Sequence, residues 1–232
     1  MKRVLLKLSG EALSNGNDQI YDNSFVDRVA EVIADCVKDG FEIALVVGAG
    51  NIWRGRQGGE MDRTDADRMG MLATVINAIC LKDALRRAGI DALVMSAVPM
   101  VPFASVYTAE AAVAALESGK VVIFGAGLGI PFLSTDTTGA VRAREISADA
   151  MFMAKNVDYI YTDDPRTNPD AKRLERVKAS EVLALNLKAI DATATAFCLS
   201  SGMPIHVFGL KEPEDIRRAL SGECVGTVVT AE

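Results

Sequence analysis

The sequence is short of several things that whole classes of function require. Of its 232 residues only 6% are aromatic, with one tryptophan, Trp53, and one histidine, His206. A single histidine argues against a His-based zinc site and against a Ser-His-Asp triad. The four cysteines, Cys36, Cys80, Cys198 and Cys224, are scattered, with no CxxC pair and no adjacent histidine. They read as reduced, mostly buried thiols of a cytoplasmic protein. No apolar run approaches the roughly 20 residues that cross a bilayer. The basic start Lys2-Arg3 leads into an apolar stretch that Lys7 interrupts, so neither a secretory leader nor a membrane partner is expected. Basic charge is also scarce: 25 Lys and Arg stand against 31 Asp and Glu, a net charge of -6. A nucleic-acid binder normally presents a basic face, so no nucleic-acid partner is expected.

Half of the residues are hydrophobic, and the length suits one large or two small domains with a sizeable core. Apolar, β-rich runs recur at 4–8, 43–47, 92–95, 121–124, 150–154, 159–161, 205–208 and 227–229. Most are continuous rather than alternating, as in strands covered on both faces. Helical segments lie between them. Ser24 is placed to cap one helix, with Phe25, Val29, Ile33 and Val37 on its apolar face and Gly40 at its end. Thr108 and Gly119 bracket a second, Asp191 caps a third over 192–201, and Pro213 sits near the first turn of a last one. Strands alternating with helices imply βαβ units. With no repeat and no long linker, the expectation is one domain over 1–232, a three-layer α/β/α sandwich with a mostly parallel central sheet. The segment 69–81 (MGMLATVINAICL) is apolar almost all round, with Asn77 its main polar interruption. Such a helix is buried on more than one side, either in the core or at a subunit interface.

Open parallel sheets bind ligands at the carboxyl ends of their strands, near glycine-rich turns. Three strands end that way: in Ser9-Gly10, in Gly48-Ala49-Gly50-Asn51, and in Gly125-Ala126-Gly127-Leu128-Gly129. Glycines let a backbone approach a ligand closely, and free N–H groups at a helix start attract anions. Three such turns at one sheet edge point to a ligand with several phosphates or to two phosphorylated ligands. The P-loop is excluded because no Gly-Lys-Ser/Thr occurs. The dinucleotide fingerprint fails too, since Trp53 stands where its third glycine belongs. An NAD-dependent oxidoreductase and a non-catalytic nucleotide sensor remain as alternatives.

Side chains of suitable chemistry lie beside these turns. Lys7, inside an apolar strand, either snorkels to solvent or meets phosphate oxygens at the strand end. Arg54 and Arg56 follow the second glycine turn, and a guanidinium can hold two phosphate oxygens. Asp62, Asp65 and Asp67 begin a helix, where one of them can accept from ribose hydroxyls or all can be solvated. In 131–139 (PFLSTDTTG) Thr135 or Asp136 caps the helix, and Asp136 is a candidate magnesium ligand, directly or through water. Tyr161 is placed to pack on a base and Asp164 to bind a hydroxyl, unless Asp164-Pro165 is simply a turn.

Taken together, KLSGEAL (7–13), GAGNIWRG (48–55), DRMGMLATVINAICLKDAL (67–85), GIPFLSTDT (129–137), VDYIYTDDP (157–165) and PIHVFGL (204–210) resemble the bacterial uridylate (UMP) kinases of the amino acid kinase family, over nearly the whole chain. The resemblance implies transfer of the γ-phosphoryl group of ATP to UMP with Mg2+, giving UDP and ADP. It assigns Lys7, Leu8, Ser9, Gly10, Gly50 and Arg54 to the ATP phosphates, and Asn156 or Lys155, Tyr161 and Asp164 to the adenosine side. It assigns Ala49, Asp67, Leu128, Gly129, Ile130, Pro131, Phe132, Leu133, Ser134 and Thr135 to UMP. Lys7, Arg54 and Asp136 are the expected catalytic residues. A homohexamer, inhibition by UTP and activation by GTP are further implications. Three departures stand out: Ala49 replaces the usual Gly, Leu128 and Ile130 replace frequent Thr and Asn, and the loop 14–21 lacks the glycine–aromatic–glycine pattern linked with GTP. A sister kinase acting on carbamate or an acylamino acid is the alternative on the same fold.

Overall fold

In the computed structural model, which describes residues 2–16, 18–53 and 59–232, a nine-stranded sheet forms the middle layer. Strand β1 (Arg3–Leu8) lies at its centre, flanked in parallel by β2 (Glu42–Val47) and β6 (Ala150–Lys155). Beyond β2 come β5 (Val121–Gly125), β3 (Ala92–Ser96) and the short edge strand β4 (Ser105–Val106), all parallel. Beyond β6 come β10 (Ile205–Gly209), β11 (Thr227–Thr230) and β9 (Arg176–Lys178), where only the β10–β11 pair is antiparallel. The run expected at 159–161 leaves this sheet. Its β7 (Ile160–Tyr161) pairs instead with β8 (Arg173–Leu174) as a separate two-stranded ribbon.

The continuous apolar runs are explained by helices on both sheet faces. On β1, Val4, Leu6 and Leu8 join a core with α1 (Asn23–Lys38), α2 (Arg63–Arg87) and α7 (Glu214–Leu220). Leu5 faces the other core, built with α3 (Ala109–Glu117), α4 (Thr135–Glu145), α5 (Ala179–Ala184) and α6 (Ala192–Ser201). Because side chains alternate along a strand, Lys7 shares the face of Leu5 and points toward α4. Since β1 is central, the snorkelling reading of Lys7 fails; its residue is only 6% exposed.

Some helix ends differ from the sequence reading. Asp22, not Ser24, caps α1: its carboxylate accepts from the Phe25 N–H and from the Ser24 hydroxyl. Neither Thr135 nor Asp136 caps α4; Ser134 does, accepting from the Thr137 N–H at 3.1 Å. A carboxylate or hydroxyl one or two positions earlier satisfies the first-turn donors just as well, and sequence alone does not choose. The caps Thr108 and Asp191 are as expected, and Gly202 ends α6 at φ 71°. Cys36 and Cys198 are buried, Cys80 is only half-buried, and Cys224 is exposed.

Helix α2 extends well beyond 69–81 at both ends, and its polarity is inverted relative to expectation. Its polar interruption, Asn77, has no exposed surface, whereas Met69, Leu72, Ile76 and Ile79 are 40–52% exposed. At 100° per residue these four fall on one stripe, so a single face of α2 is buried within the chain. Among the described residues no helix is long and apolar enough to cross a membrane.

Candidate active site

Parallel neighbours carry their C-terminal ends on one side, so β1, β2 and β5 bring their three glycine turns together. The first two touch. A Cβ on Gly10 would collide with the Gly48 carbonyl and lie 2.6 Å from Asn51 Oδ1, so only glycine allows this approach. The third turn is bent sharply. Ala126 (φ 60°) and Phe132 (φ 69°) hold left-handed conformations that cost a residue with a Cβ about 1 kcal/mol or more. Two bonds hold that turn in place: the Ala126 N–H donates to Thr74 Oγ1 on α2 at 2.9 Å, and the Phe132 N–H to Asp67 Oδ2 at 2.9 Å.

Between α2 and this third turn opens a cleft of about 430 Å³. Of the residues assigned to the acceptor, Ala49, Asp67, Leu128, Ile130, Phe132, Leu133, Ser134 and Thr135 line it, while Gly129 and Pro131 do not. Gly50 lines it too. Of the three early carboxylates only Asp67 reaches the cleft. Asp62 caps α2, and Asp65 pairs with Arg68 on the surface. Asp67 also accepts from Arg63 Nε at 2.9 Å, and the Arg63 guanidinium lies 5.8 Å from the Phe132 ring centre. Trp53, Arg63, Thr74 and Asp191 also line the cleft. Sequence reasoning gave none of these four a place there. Asp191 was legible only as a cap, because α4 and α6 meet through tertiary packing: Thr137 Oγ1 donates to Asp191 Oδ2 at 2.6 Å.

One residue past Thr135 in the cleft wall, Asp136 holds two ammonium groups: Lys7 Nζ at 3.1 Å and Lys155 Nζ at 2.5 Å. All three are largely buried, with side-chain exposures of 9%, 8% and 18%. Burial opposes ionisation of Asp136, yet Lys7 and Lys155 draw its carboxyl down to about 2. Burial pushes the Lys7 ammonium down, with Asp136 opposing and Lys155 reinforcing that shift. Alternation at the end of β6 divides Lys155 from Asn156: Lys155 turns to the two charges, and Asn156 Nδ2 donates to Glu11 Oε2 at 3.3 Å. The carboxylate of Asp136 is thus taken by lysines rather than free for a cation. Among the described residues no group of three or more acidic, His or Cys side chains is arranged to hold a metal ion.

The remaining donor-side residues are spread out. Leu8 is fully buried, so only its backbone faces the turn. Ser9 and Gly10 open the short 3-10 helix Gly10–Ser14. A second cleft of about 460 Å³ lies beside that helix, lined by Glu11, Ser14, Asn15, Phe25, Asn156 and Leu210 among others. Tyr161 and Asp164 line neither cleft. The Tyr161 hydroxyl donates to Asp158 Oδ1, and Asp164 accepts from the Arg166 backbone and guanidinium. Arg54, with Arg56, lies outside the described residues. His206 stacks on Phe152 within β6 and β10, with ring centres 4.5 Å apart, and takes no part in the site.

Phosphate-ready turns, a buried lysine pair and this strand order together define a class. The sequence profile of the amino acid kinase family matches residues 2–209, and the chain belongs to that family. Within it, a UMP kinase from Bacillus anthracis is 36% identical with TM-score 0.95, the alignment covering 100% of this chain and 96% of that one. A UMP kinase from Ureaplasma parvum is 35% identical with TM-score 0.93, covering 99% and 98%. A uridylate kinase from Archaeoglobus fulgidus is 28% identical with TM-score 0.77, covering 99% and 100%. Family membership removes the oxidoreductase and sensor readings of the sequence.

Proposed function

We propose that this chain is a nucleoside monophosphate kinase that transfers the γ-phosphoryl group of ATP to UMP, giving UDP and ADP, with residues 1–232 acting as one cytoplasmic catalytic domain. The observation that carries the reading is the buried Lys7–Asp136–Lys155 group one residue beyond the cleft wall, where three glycine turns converge. Phosphoryl transfer between two polyanions demands positioning and charge neutralisation more than covalent help from the protein. Asp136 holds both ammonium groups in place before any phosphate arrives, so little reorganisation is needed as charge spreads over the transferring group. Backbone N–H groups of the first two turns and the start of α4 add positive potential. No general base is required, because the acceptor phosphate is already ionised at neutral pH.

In this reading Lys7, Leu8, Ser9, Gly10, Gly50 and Arg54 serve the ATP phosphates, with Lys155 beside them rather than on the adenosine side. Asn156, Tyr161 and Asp164 serve adenosine. Ala49, Asp67 and the stretch 128–135 serve UMP, with Asp67 accepting from ribose. Magnesium travels with the ATP phosphates. Leu128 and Ile130 leave uracil recognition to the backbone of the third turn. Self-association into a homohexamer fits the apolar stripe of α2, and inhibition by UTP belongs to the same reading, whereas the loop 14–21 lacks the pattern linked with activation by GTP. A coupled ADP-release assay with ATP and magnesium, run with UMP, CMP, dUMP, AMP, carbamate and acetylglutamate, tests it. Turnover with UMP is expected. Turnover only with carbamate or acetylglutamate moves the chain to a sister kinase and refutes the acceptor assignment.

A further inference from the structure

The Asn77 side chain sits in the middle of α2 with no exposed surface, in a place that an aliphatic residue would fill. A carboxamide offers two donors and two lone pairs, and leaving any of them unmatched in the interior is costly. All four are used. Nδ2 donates to the Gly48 carbonyl at 2.7 Å and to Asn51 Oδ1 at 2.8 Å. Oδ1 accepts from the Tyr21 hydroxyl at 2.8 Å and from Asn51 Nδ2 at 3.2 Å. Asn51 Nδ2 is also bonded to the Ile20 carbonyl at 2.9 Å. One side chain of α2 therefore ties down the second glycine turn and the segment that leads into α1.

The bond to Gly48 has a directional consequence. A peptide unit is planar and trans, so its C=O and N–H point opposite ways. Fixing the Gly48 carbonyl toward α2 fixes the Ala49 N–H of the same unit away from it. Ala49 and Gly50 line the acceptor cleft, and the Ala49 carbonyl accepts from the Ile52 and Trp53 N–H groups, which sets the rest of the turn. Gly48 is itself buried, and its N–H donates to the Leu8 carbonyl at 2.9 Å, linking this peptide to the Lys7 strand.

We propose that Asn77 is a positioning residue for phosphoryl transfer: its carboxamide locks the 48–49 peptide so that the second glycine turn presents its N–H groups to phosphate between donor and acceptor. The inference rests on the kinase reading above and adds a residue that touches neither nucleotide. Its decisive perturbation is Asn77→Asp, which keeps size and shape but replaces the amide donor facing two carbonyl-type oxygens with an acceptor. A lock that matters in the transition state lowers kcat by about 30-fold or more while both KM values stay within about threefold. Ile33→Val, a core change in α1 remote from the turn, is the control for stability loss; it keeps wild-type kcat. Asn51→Ala removes the group that orients the Asn77 amide and lowers kcat by about fivefold; it also leaves one donor and one acceptor of that amide unmatched, so its Tm falls, and Ile33→Val shows how little of the kcat change lost stability accounts for. Steady-state kinetics and thermal unfolding of the four proteins read all of this. Wild-type kcat in a folded Asn77→Asp or in Asn51→Ala overturns the inference, as does an equal kcat loss in Ile33→Val. A wild-type chain that turns over no acceptor fails the kinase reading instead, and the inference falls with it.

Discussion

Asp136→Asn removes the one negative charge that holds Lys7 and Lys155 together. The magnitude follows from the structure. Asp136 titrates at about 2 rather than at 3.8, so its charged form contributes about 2 kcal/mol of stability at neutral pH. The substitution also leaves two ammonium groups facing each other with side-chain exposures of only 8% and 18%. Breaking a buried pair in this way costs about 3–5 kcal/mol, less what is regained when one lysine releases its proton. A net loss of about 3 kcal/mol in a chain of this length lowers Tm by about 6–12 °C. Nucleotide phosphates supply the missing negative charge, so saturating ATP raises the Tm of the variant by more than it raises that of the wild type. Scanning calorimetry of both proteins, with and without ATP, measures each quantity. A Tm within 2 °C of wild type, or equal ATP shifts in the two proteins, refutes the account of Asp136 as a stand-in for phosphate charge.

The same carboxylate fixes an acid limb. A folded pKa of about 2 against 3.8 means stability that is present above pH 4 and lost as pH falls toward 2. Wild type should therefore lose about 2 kcal/mol more than Asp136→Asn over that window in denaturant titrations, and parallel curves would contradict it. Lys7→Ala leaves Asp136 paired with Lys155, so the fold survives while kcat drops by about 10²-fold or more; wild-type kcat in that variant removes Lys7 from the mechanism. Asp67→Asn raises the KM for UMP by about tenfold and leaves that for ATP alone, which initial-rate kinetics would show; an unchanged UMP KM removes Asp67 from ribose binding. Ile76→Glu places a charge on the apolar stripe of α2, where Ile76 is 52% exposed, and should reduce the mass seen by analytical ultracentrifugation. An unaltered mass would show that the stripe is not the interface.

The sequence by itself determined the layer architecture, because continuous apolar strands separated by capped helices bury themselves only as a covered, mostly parallel sheet. It also placed the glycine turns at Gly10, Gly48-Ala49-Gly50 and Gly125–Gly129 on one edge of the sheet, since parallel strands end on one side. Local signals failed where two neighbouring residues were chemically equivalent. Asp22 and Ser24 are both competent caps, as are Ser134 and Thr135, and the choice depends on where the incoming chain lies. Lys155 and Asn156 were likewise indistinguishable until the register of β6 gave each a face. What only the tertiary structure decided are the contacts across long sequence separations. Asp136 could be read as a cap or a metal ligand until β1 and β6 brought Lys7 and Lys155 onto its two oxygens. Asp191 was a helix cap until α6 packed on α4 and set it in the cleft. Asn77 was a flaw in an apolar helix until Gly48, Asn51 and Tyr21 closed around it. A side chain's chemistry is written in the sequence, but its charge state and its partners depend on which distant backbone excludes water from it.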